Sequence, residues 1–421
     1  MLTKQKLIYQ IKHHPVIRAA YEKLGSAALT SYGRTQDIDE DLVLIVANTG
    51  KNFSGSPYAI FQYMQKHKEY DRFHVVWAFN HPENFQGEFV NMVQMDSPEY
   101  VTTALQAKYW ITDNNIERSL NFKNPKTKYL NTWHGVALKT IGNDDKFSGT
   151  FDYSDIDYLC VSCEHDKRVY TTALNASPDC FLECGMPRND SLFNVSEADR
   201  FDLRMKLDIP VDKKVILFAP TWRDSINGGD TFDLDIPVHF DKWREALGDD
   251  YMIMFRAHDR TSKLMNVEFN DFVVNYSTYE PLNDLMIAAD ILVTDYSSIC
   301  FDWSLLEKPF ICFGYDWEQY KAERGVYFDA EEVYYGGVLR TEEEVIDRIL
   351  NMDYPEEIEG IRRLKEEFMT YSKPNAAEIC VKALFGDVIK EESEAEAEAE
   401  VEAEAEAEAE VEEEKKEETD E

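Results

Sequence analysis

Short apolar runs alternate with longer mixed segments along this sequence, and this alternation constrains the fold more than any other feature. From Leu42 onward, the runs LVLIVAN, FHVVWAF, YWITDN, KYLNTWHG and YLCVSC are rich in aliphatic and aromatic residues. Helix-compatible stretches at 57–66 and 98–108 separate neighbouring runs. Strands that are apolar throughout are typical of parallel sheets covered by helices on both faces. The pattern therefore predicts a doubly wound α/β domain.

The same rhythm starts again at KVILFAP and continues through YMIMFRAH, FVVNYS, DILVTDYSS and PFICFGY. A chain of 421 residues is long enough for two domains of ordinary size. We predict a basic amphipathic segment over 1–36, an N-terminal α/β domain over 37–190, a C-terminal α/β domain over 191–390 and an acidic disordered tail over 391–421. Two doubly wound, Rossmann-like domains that face each other enclose a central cleft, and such sheets bind ligands at the carboxyl ends of their strands.

Composition excludes several classes of protein. The formal net charge of -37 argues against a nucleic-acid partner, because binding to phosphates relies on Lys and Arg. Seven cysteines are scattered through the chain and no cleavable signal peptide is recognised, so we expect a reducing, cytoplasmic compartment. No apolar run approaches the roughly 20 residues that span a bilayer.

The N-terminal segment is basic although the protein as a whole is acidic. Apolar residues recur at helical spacing on both sides of Pro15, and the basic residues of this segment are Lys4, Lys6, Lys12, Arg18, Lys23 and Arg34. Two interpretations are equally compatible with this pattern. The helix either lies on an anionic membrane surface or docks on the first domain.

The most informative stretch is DILVTDYSSICFDWSLLEKPFICF, which is read as strand, polar loop, helix and strand. Ser297 and Ser298 stand where the helix should begin, so their hydroxyls and the free amides of the first turn are suited to phosphate oxygens. The alternative is that one serine only caps the helix. Asp302 lies four residues after Ser298 on the same helical face and is placed to accept a hydrogen bond from a donor hydroxyl.

Further polar groups follow other predicted strands. Arg256 and His258 are two positions apart, so they share one face of an extended chain and suit a diphosphate whose charge grows as a leaving group departs. The exits GMPRND and APTWRD add Arg188, Thr221 and Arg223 as candidate phosphate contacts. Each of these residues, taken alone, also fits a turn, a surface ion pair or a structural histidine.

The segment NTWHGVALKTIG places His134 between Trp133 and Gly135, directly after a predicted strand. An imidazole at a strand end, made accessible by a glycine, is well placed as a general base near neutral pH. Leu138 and Ile141 predict a helix after this motif. A lone histidine is more often structural, so this motif supports a catalytic role only in combination with the other motifs.

No metal or cofactor is predicted. Cys160, Cys163, Cys180 and Cys184 superficially resemble zinc spacing, but they lie in or beside apolar runs, where cysteine acts as a small hydrophobic residue. The sequence contains neither the P-loop motif GxxxxGK[ST] nor the dinucleotide-binding motif GxGxxG, so it gives little support for a kinase or an ordinary dehydrogenase.

Taken in order, NTWHG, GMPRND, APTWRD, FRAH and TDYSSICFDW resemble the CDP-glycerol glycerophosphotransferase family, which builds teichoic-acid and related phosphopolymers. The resemblance extends over roughly residues 40–385. It implies a GT-B fold, transfer of an alditol phosphate from a CDP-alditol to a lipid-linked polymer or sugar acceptor with release of CMP, and a site at the inner face of the cell membrane. Glycerol phosphate is the group we expect to be transferred.

The predicted catalytic residues are His134, as the base, and His258. The predicted substrate-binding residues are Trp133, Gly135, Val136, Ala137, Leu138, Arg188, Thr221, Arg223, Arg256, Ser297, Ser298 and Asp302. Two other functions stay open from the sequence. One is a GT-B glycosyltransferase that moves the sugar of a nucleotide-sugar, and the other is a non-catalytic protein that binds a surface polymer.

Overall fold

A computed structural model of the chain describes residues 14–88, 90–145, 152–221, 237–257 and 267–390. Within these residues the strands form two sheets, and every strand pairing is parallel. The first sheet has the order β3-β2-β1-β4-β5-β6-β7 and the second the order β10-β9-β8-β11-β12-β13. The predicted fold class, two doubly wound domains, is confirmed.

The strands of the first sheet are β1 (Asp39–Val46), β2 (His74–Phe79), β3 (Asn91–Gln94), β4 (Ala107–Thr112), β5 (Lys128–Asn131), β6 (Tyr158–Val161) and β7 (Phe181–Glu183). Those of the second are β8 (Lys214–Ala219), β9 (Tyr251–Phe255), β10 (Val273–Asn275), β11 (Ile291–Thr294), β12 (Phe310–Phe313) and β13 (Val338–Leu339).

Helices connect these strands. They are α1 (Pro15–Gly33), α2 (Gly55–Lys66), α3 (Pro98–Gln106), α4 (Glu164–Ala173), α5 (Glu197–Lys206), α6 (Phe240–Leu247), α7 (Leu282–Ala288), α8 (Ile299–Ser304), α9 (Trp317–Arg324), α10 (Ala330–Val333), α11 (Glu342–Leu350), α12 (Tyr354–Phe368) and a last helix, α13, over 376–390. None of the helices in these described ranges combines the length and apolar character needed to cross a bilayer.

The central strands are apolar throughout because both faces of each sheet are covered. In β1, Leu44 and Val46 pack into one core cluster, whereas Val43 and Ile45 pack into another on the opposite face. All four side chains are fully buried. Successive side chains of a strand point to opposite faces, so a strand between two helical layers needs apolar residues at every position.

The strand order places a crevice at one end of each sheet. The chain winds outward in one direction from β1 and in the other from β4, and it does the same from β8 and β11. Loops leaving the carboxyl ends of such neighbouring strands diverge and leave a ligand-sized gap between them. The predicted site residues follow β5, β7, β8, β9 and β11, so they converge on these strand ends.

The C-terminal helix α13 returns to the first domain, although the sequence-based boundaries assigned it to the second. Cys380, Val381 and Phe385 belong to the core cluster formed by the first sheet and α2. The carboxylate of Asp190 accepts hydrogen bonds from the backbone N–H groups of residues 376 and 377, at 2.9 Å each. This carboxylate satisfies two donors that a helix start otherwise leaves unpaired. The last helix therefore ties the two domains together.

Candidate active site

The motif after β5 makes a strained turn that points toward the second domain. Trp133 has a φ of 53° and Gly135 a φ of 142°, both in the left-handed half of backbone space. Such a conformation is costly for a bulky residue and persists only where surrounding contacts enforce it. Here the Trp133 amide donates to Asn131 Oδ1 at 2.8 Å, and the buried indole stacks on the ring of His134 with centroids 4.2 Å apart.

One hydrogen bond decides which nitrogen of His134 is available for chemistry. The ring atom Nδ1 lies 2.9 Å from the backbone carbonyl oxygen of Asp113. A carbonyl oxygen only accepts, so the neutral ring must carry its proton on Nδ1 and donate it to Asp113. The other nitrogen, Nε2, is then left with a lone pair. This is the tautomer that a general base at Nε2 requires.

The surroundings of His134 keep it neutral. The residue is accessible to solvent, yet many protein atoms surround the ring, and the resulting desolvation is the main reason that its pKa falls to about 4. The bond to Asp113 opposes the shift, while the positive charges of Arg188 and Lys139 add to it. At neutral pH the ring can therefore accept a proton, and an approaching anionic substrate would raise its pKa.

Gly135 is the point at which the two domains touch beside His134. A Cβ placed on Gly135 would lie 2.6 Å from Ser298 Oγ and 2.9 Å from Ser298 Cβ. Any side chain at this position would clash with the second domain, and the positive φ also disfavours one. A glycine thus lets the predicted base of the first domain approach the predicted phosphate-binding serine of the second.

A buried ion pair locks the same junction. Asp302 accepts from Arg188 Nη2 at 2.7 Å through Oδ2 and from Asn189 Nδ2 at 2.7 Å through Oδ1. The same Nη2 atom donates to the carbonyl oxygen of His134 at 3.1 Å. Both carboxylate oxygens of Asp302 are thereby engaged within the protein. The predicted contacts of Arg188 and Asp302 with a donor stay predictions, and in this structure the pair joins the domains.

The remaining donor-side residues lie around the strand ends of the second sheet. The amide and hydroxyl of Thr221 both bond to the carboxylate of Asp295, with the amide 3.0 Å from Oδ1. Ser297 Oγ accepts from the amide of residue 299 at 3.4 Å, and Ser298 is the N-cap residue of α8 without a side-chain capping bond. Arg256 donates through Nη1 to the carbonyl oxygen of residue 279. Arg223 and His258 lie outside the described residues.

The helix predicted after His134 is wrong, because this segment is extended along the domain junction. Val136 and Leu138 are buried in the core cluster of the second domain, whereas Ala137 is buried in that of the first. Leu138 accepts through its carbonyl from the amide of Tyr327 at 2.8 Å. Alternating burial against two partners requires an extended chain. Donor contacts of residues 136–138 stay predictions, and their side chains already pack inside the protein.

Three buried thiols meet in the core of the first domain, away from this cleft. Cys160, Cys184 and Cys380 have sulfur atoms 3.4, 3.6 and 4.0 Å apart. Structural zinc takes four ligands, and the described residues offer three here. Cys163 and Cys180, which contribute to the apparent zinc spacing of the sequence, pack into two other clusters.

Sequence analysis did not single out Asp113, Asn189 or Asp295, although all three hold site residues in place. The two aspartates carry a weak signal, because each follows a threonine at the end of an apolar strand, in WITDN and LVTDY. Asn189 carries none that distinguishes it from an ordinary turn residue. Two facing doubly wound sheets, with an imidazole on one side of the cleft and a serine-bearing strand exit on the other, define a transferase of the GT-B type.

The chain belongs to the CDP-glycerol:poly(glycerophosphate) glycerophosphotransferase family, whose pattern matches residues 28–386. The teichoic acid glycerol-phosphate transferase of Staphylococcus aureus (strain NCTC 8325 / PS 47) is 33% identical over 335 residues, covering 75% of this chain and 85% of that protein. The teichoic acid poly(glycerol phosphate) polymerase of Staphylococcus epidermidis RP62A is 32% identical over 324 residues. That alignment covers 72% of this chain and 44% of the polymerase, so the chain spans less than half of this relative.

A solved structure of the wall teichoic acid polymerase TagF, a variant with a histidine replaced by asparagine and soaked with CDPG, has a TM-score of 0.76 and 27% identity. The match covers 93% of this chain and 100% of that one. The predicted family, the GT-B arrangement and the assignment to a transferase class are therefore confirmed.

We expect Arg188→Ala to lower the free energy of unfolding by about 3 kcal/mol, because it strands a buried carboxylate. The double variant Arg188→Ala, Asp302→Asn should recover part of that loss, since the unpaired charge is then gone. Denaturant unfolding monitored by circular dichroism measures both. A double variant no more stable than the single one would contradict the assignment of this ion pair to the domain junction.

Proposed function

We propose that this protein transfers glycerol phosphate from CDP-glycerol to a hydroxyl of a membrane-linked cell-surface polymer and releases CMP. The observation that carries the proposal is the bond between His134 Nδ1 and the Asp113 carbonyl, which leaves Nε2 as the nitrogen for chemistry, next to the contact between Gly135 and Ser298 of the opposite domain. The names of the relatives support glycerol phosphate as the transferred group, and the description of the family names CDP-glycerol.

In the proposed reaction an acceptor hydroxyl attacks the phosphorus atom that carries glycerol. A new P–O bond forms to the acceptor, the P–O bond to CMP breaks, and the hydroxyl proton passes to Nε2 of His134. CMP departs with the bridging oxygen and its negative charge. Phosphoryl transfer of this kind depends mainly on positioning and electrostatics, so no covalent enzyme intermediate is required.

The groups proposed to hold the donor lie at the carboxyl ends of the second sheet. Arg256 is fixed by its bond to the carbonyl of residue 279, and Ser297 and Ser298 precede the first turn of α8. We assign the diphosphate to this region, with His258 as a second catalytic group that balances charge on the departing CMP.

A donor screen tests the function. The full chain is incubated with CDP-glycerol, CDP-ribitol or UDP-sugars and a synthetic acceptor that ends in glycerol phosphate. We expect CMP release from CDP-glycerol and an acceptor heavier by one glycerol phosphate. UDP release with sugar transfer would instead support a glycosyltransferase, and folded protein that releases no nucleotide would support a binding protein.

The variant His134→Gln, tested in the same screen, keeps a side-chain donor toward the Asp113 carbonyl but removes the base. Turnover should fall by about 10²- to 10⁴-fold, as is typical for loss of a general base. Binding of CDP-glycerol, measured by calorimetry, should change less than threefold. Unchanged turnover would contradict the role of His134.

We further propose that α1 attaches the enzyme to the inner surface of the cell membrane. One side of the helix docks on the first domain, since a Cβ added to Gly25 would lie 2.9 Å from Leu120. Other side chains face away from the protein: Val16 is 82% exposed and Leu24 is 70% exposed. The basic residues Lys4, Lys6 and Lys12 lie outside the described residues. Apolar side chains beside a basic segment suit an anionic lipid surface.

The membrane proposal predicts that Val16→Glu, Leu24→Glu weakens sedimentation with phosphatidylglycerol vesicles by about tenfold or more, because it replaces apolar contact with like-charge repulsion. Phe201→Glu is the matched control, since Phe201 is 51% exposed on another helix, α5. Equal vesicle binding by all three proteins would contradict a membrane role for α1.

A further inference from the structure

Both domains carry the same Thr-Asp device where their strand order diverges. Thr112 is the last residue of β4, beside β1, and Asp113 follows it. Thr294 is the last residue of β11, beside β8, and Asp295 follows it. Thr112 Oγ1 donates to the carbonyl of Val46, the last residue of β1, at 2.7 Å. Thr294 Oγ1 donates in the same way to the last residue of β8 at 2.6 Å. The two crevices are thus built alike.

The two aspartates also use their carboxylates in the same way. Asp113 Oδ1 accepts from the amide of Asn48 at 2.8 Å, and Asp295 Oδ1 accepts from the amide of Thr221 at 3.0 Å. Each of these amides belongs to the residue two positions beyond the neighbouring strand. In both domains the carboxylate therefore fixes the loop that forms one wall of the crevice. The second crevice is the one assigned above to the donor, which leaves the first for the other substrate.

The two carboxylates differ in the side-chain hydrogen bonds that they accept. Asp295 also receives the hydroxyl of Thr221, whereas within the described residues no side-chain donor is bonded to Asp113 Oδ2. This oxygen lies 3.5 Å from where a Cβ on Gly55 would be, so a glycine borders it. Asp113 is only 8% exposed, and burial raises the pKa of its carboxyl to about 6. A desolvated carboxylate with an open oxygen is typical of a binding site.

The loop over 48–56 encloses this oxygen and connects it to the rest of the cleft. Asn52 Nδ2 donates to Glu280 of the second domain at 3.0 Å, and Ser56 Oγ accepts from the amide of Arg188 at 3.3 Å. The carbonyl of Asp113 itself receives the proton of His134 Nδ1. One residue therefore orients the base through its backbone and presents a carboxylate through its side chain.

We propose that the first crevice binds the end of the acceptor and that Asp113 Oδ2 accepts a hydrogen bond from an acceptor hydroxyl that does not attack. The ligand is a vicinal diol, such as a terminal glycerol unit, with one hydroxyl on Asp113 and its neighbour at His134 Nε2. This inference rests on the proposed function and assigns its acceptor site. The specificity would be for a diol over a single alcohol.

A cycle of two acceptors and two proteins tests this assignment. The acceptors are a synthetic lipid ending in glycerol phosphate and its analogue without the secondary hydroxyl. In the wild type, loss of this hydroxyl should lower kcat/KM about 10- to 100-fold, because it removes a hydrogen bond to a charged group. In Asp113→Ala the two acceptors should differ less than threefold. Asp113→Asn keeps the oxygen that accepts from the Asn48 amide but places an NH2 group at the position of Oδ2, and its neutral hydrogen bond to the acceptor hydroxyl should restore only part of the difference.

Two readouts separate a binding role from a structural one. In Asp113→Ala the KM for the acceptor should rise at least threefold more than the KM for CDP-glycerol, a split that a general disturbance of the cleft would not produce. Asp71→Ala, at an exposed acid of the same domain, is the matched control and should behave as wild type. A hydroxyl preference that persists in Asp113→Ala, or a donor KM that rises with the acceptor KM, would overturn the assignment. Failure of the wild type to transfer to either acceptor would instead overturn the proposed function and this inference with it.

Discussion

The hydrogen bond from His134 Nδ1 to the Asp113 carbonyl is the interaction on which the rest of the site depends. It fixes the tautomer, and the histidine that makes it lies in a turn where Trp133 and Gly135 adopt left-handed backbone angles. The buried indole of Trp133 and the side chain of Asn131 hold that turn. Backbone strain is thus balanced by core packing, which is how proteins commonly maintain a reactive group in a fixed position.

The two domains are joined by contacts that also form the site. Gly135 allows close approach to Ser298, and Arg188 reaches both the His134 carbonyl and the carboxylate of Asp302. The C-terminal helix α13 adds a third connection, since its apolar face completes the core of the first domain. A change in the relative position of the domains would therefore change the distance between the base and the donor groups. Positioning of this kind accounts for a large share of catalysis in phosphoryl transfer.

Sequence patterns predicted the long, fully apolar strands such as β1, β8 and β11, because burial on both faces leaves a continuous apolar run. They missed β3 and β13, which have four and two residues and lie at sheet edges where exposed positions interrupt the run. The helix expected after His134 was wrong because residues 136–138 alternate between the cores of two domains. Helix α13 looks like any amphipathic helix in sequence, and only its partners place it on the first sheet.

In the site, the Arg, Ser and His residues that follow strands were predictable, because parallel sheets bind ligands at the carboxyl ends of their strands. Asp113 was not, since its role depends on a backbone carbonyl and on a pairing between loops that are 65 residues apart. The central claim is that His134 is neutral with its proton on Nδ1, and nitrogen-15 NMR of histidine-labelled protein tests it most directly, with His134→Gln to assign the signal. The account predicts an unprotonated Nε2 at pH 6 and titration near pH 4 in the free enzyme. A proton on Nε2, or titration near the ordinary value of about 6.5, would contradict it.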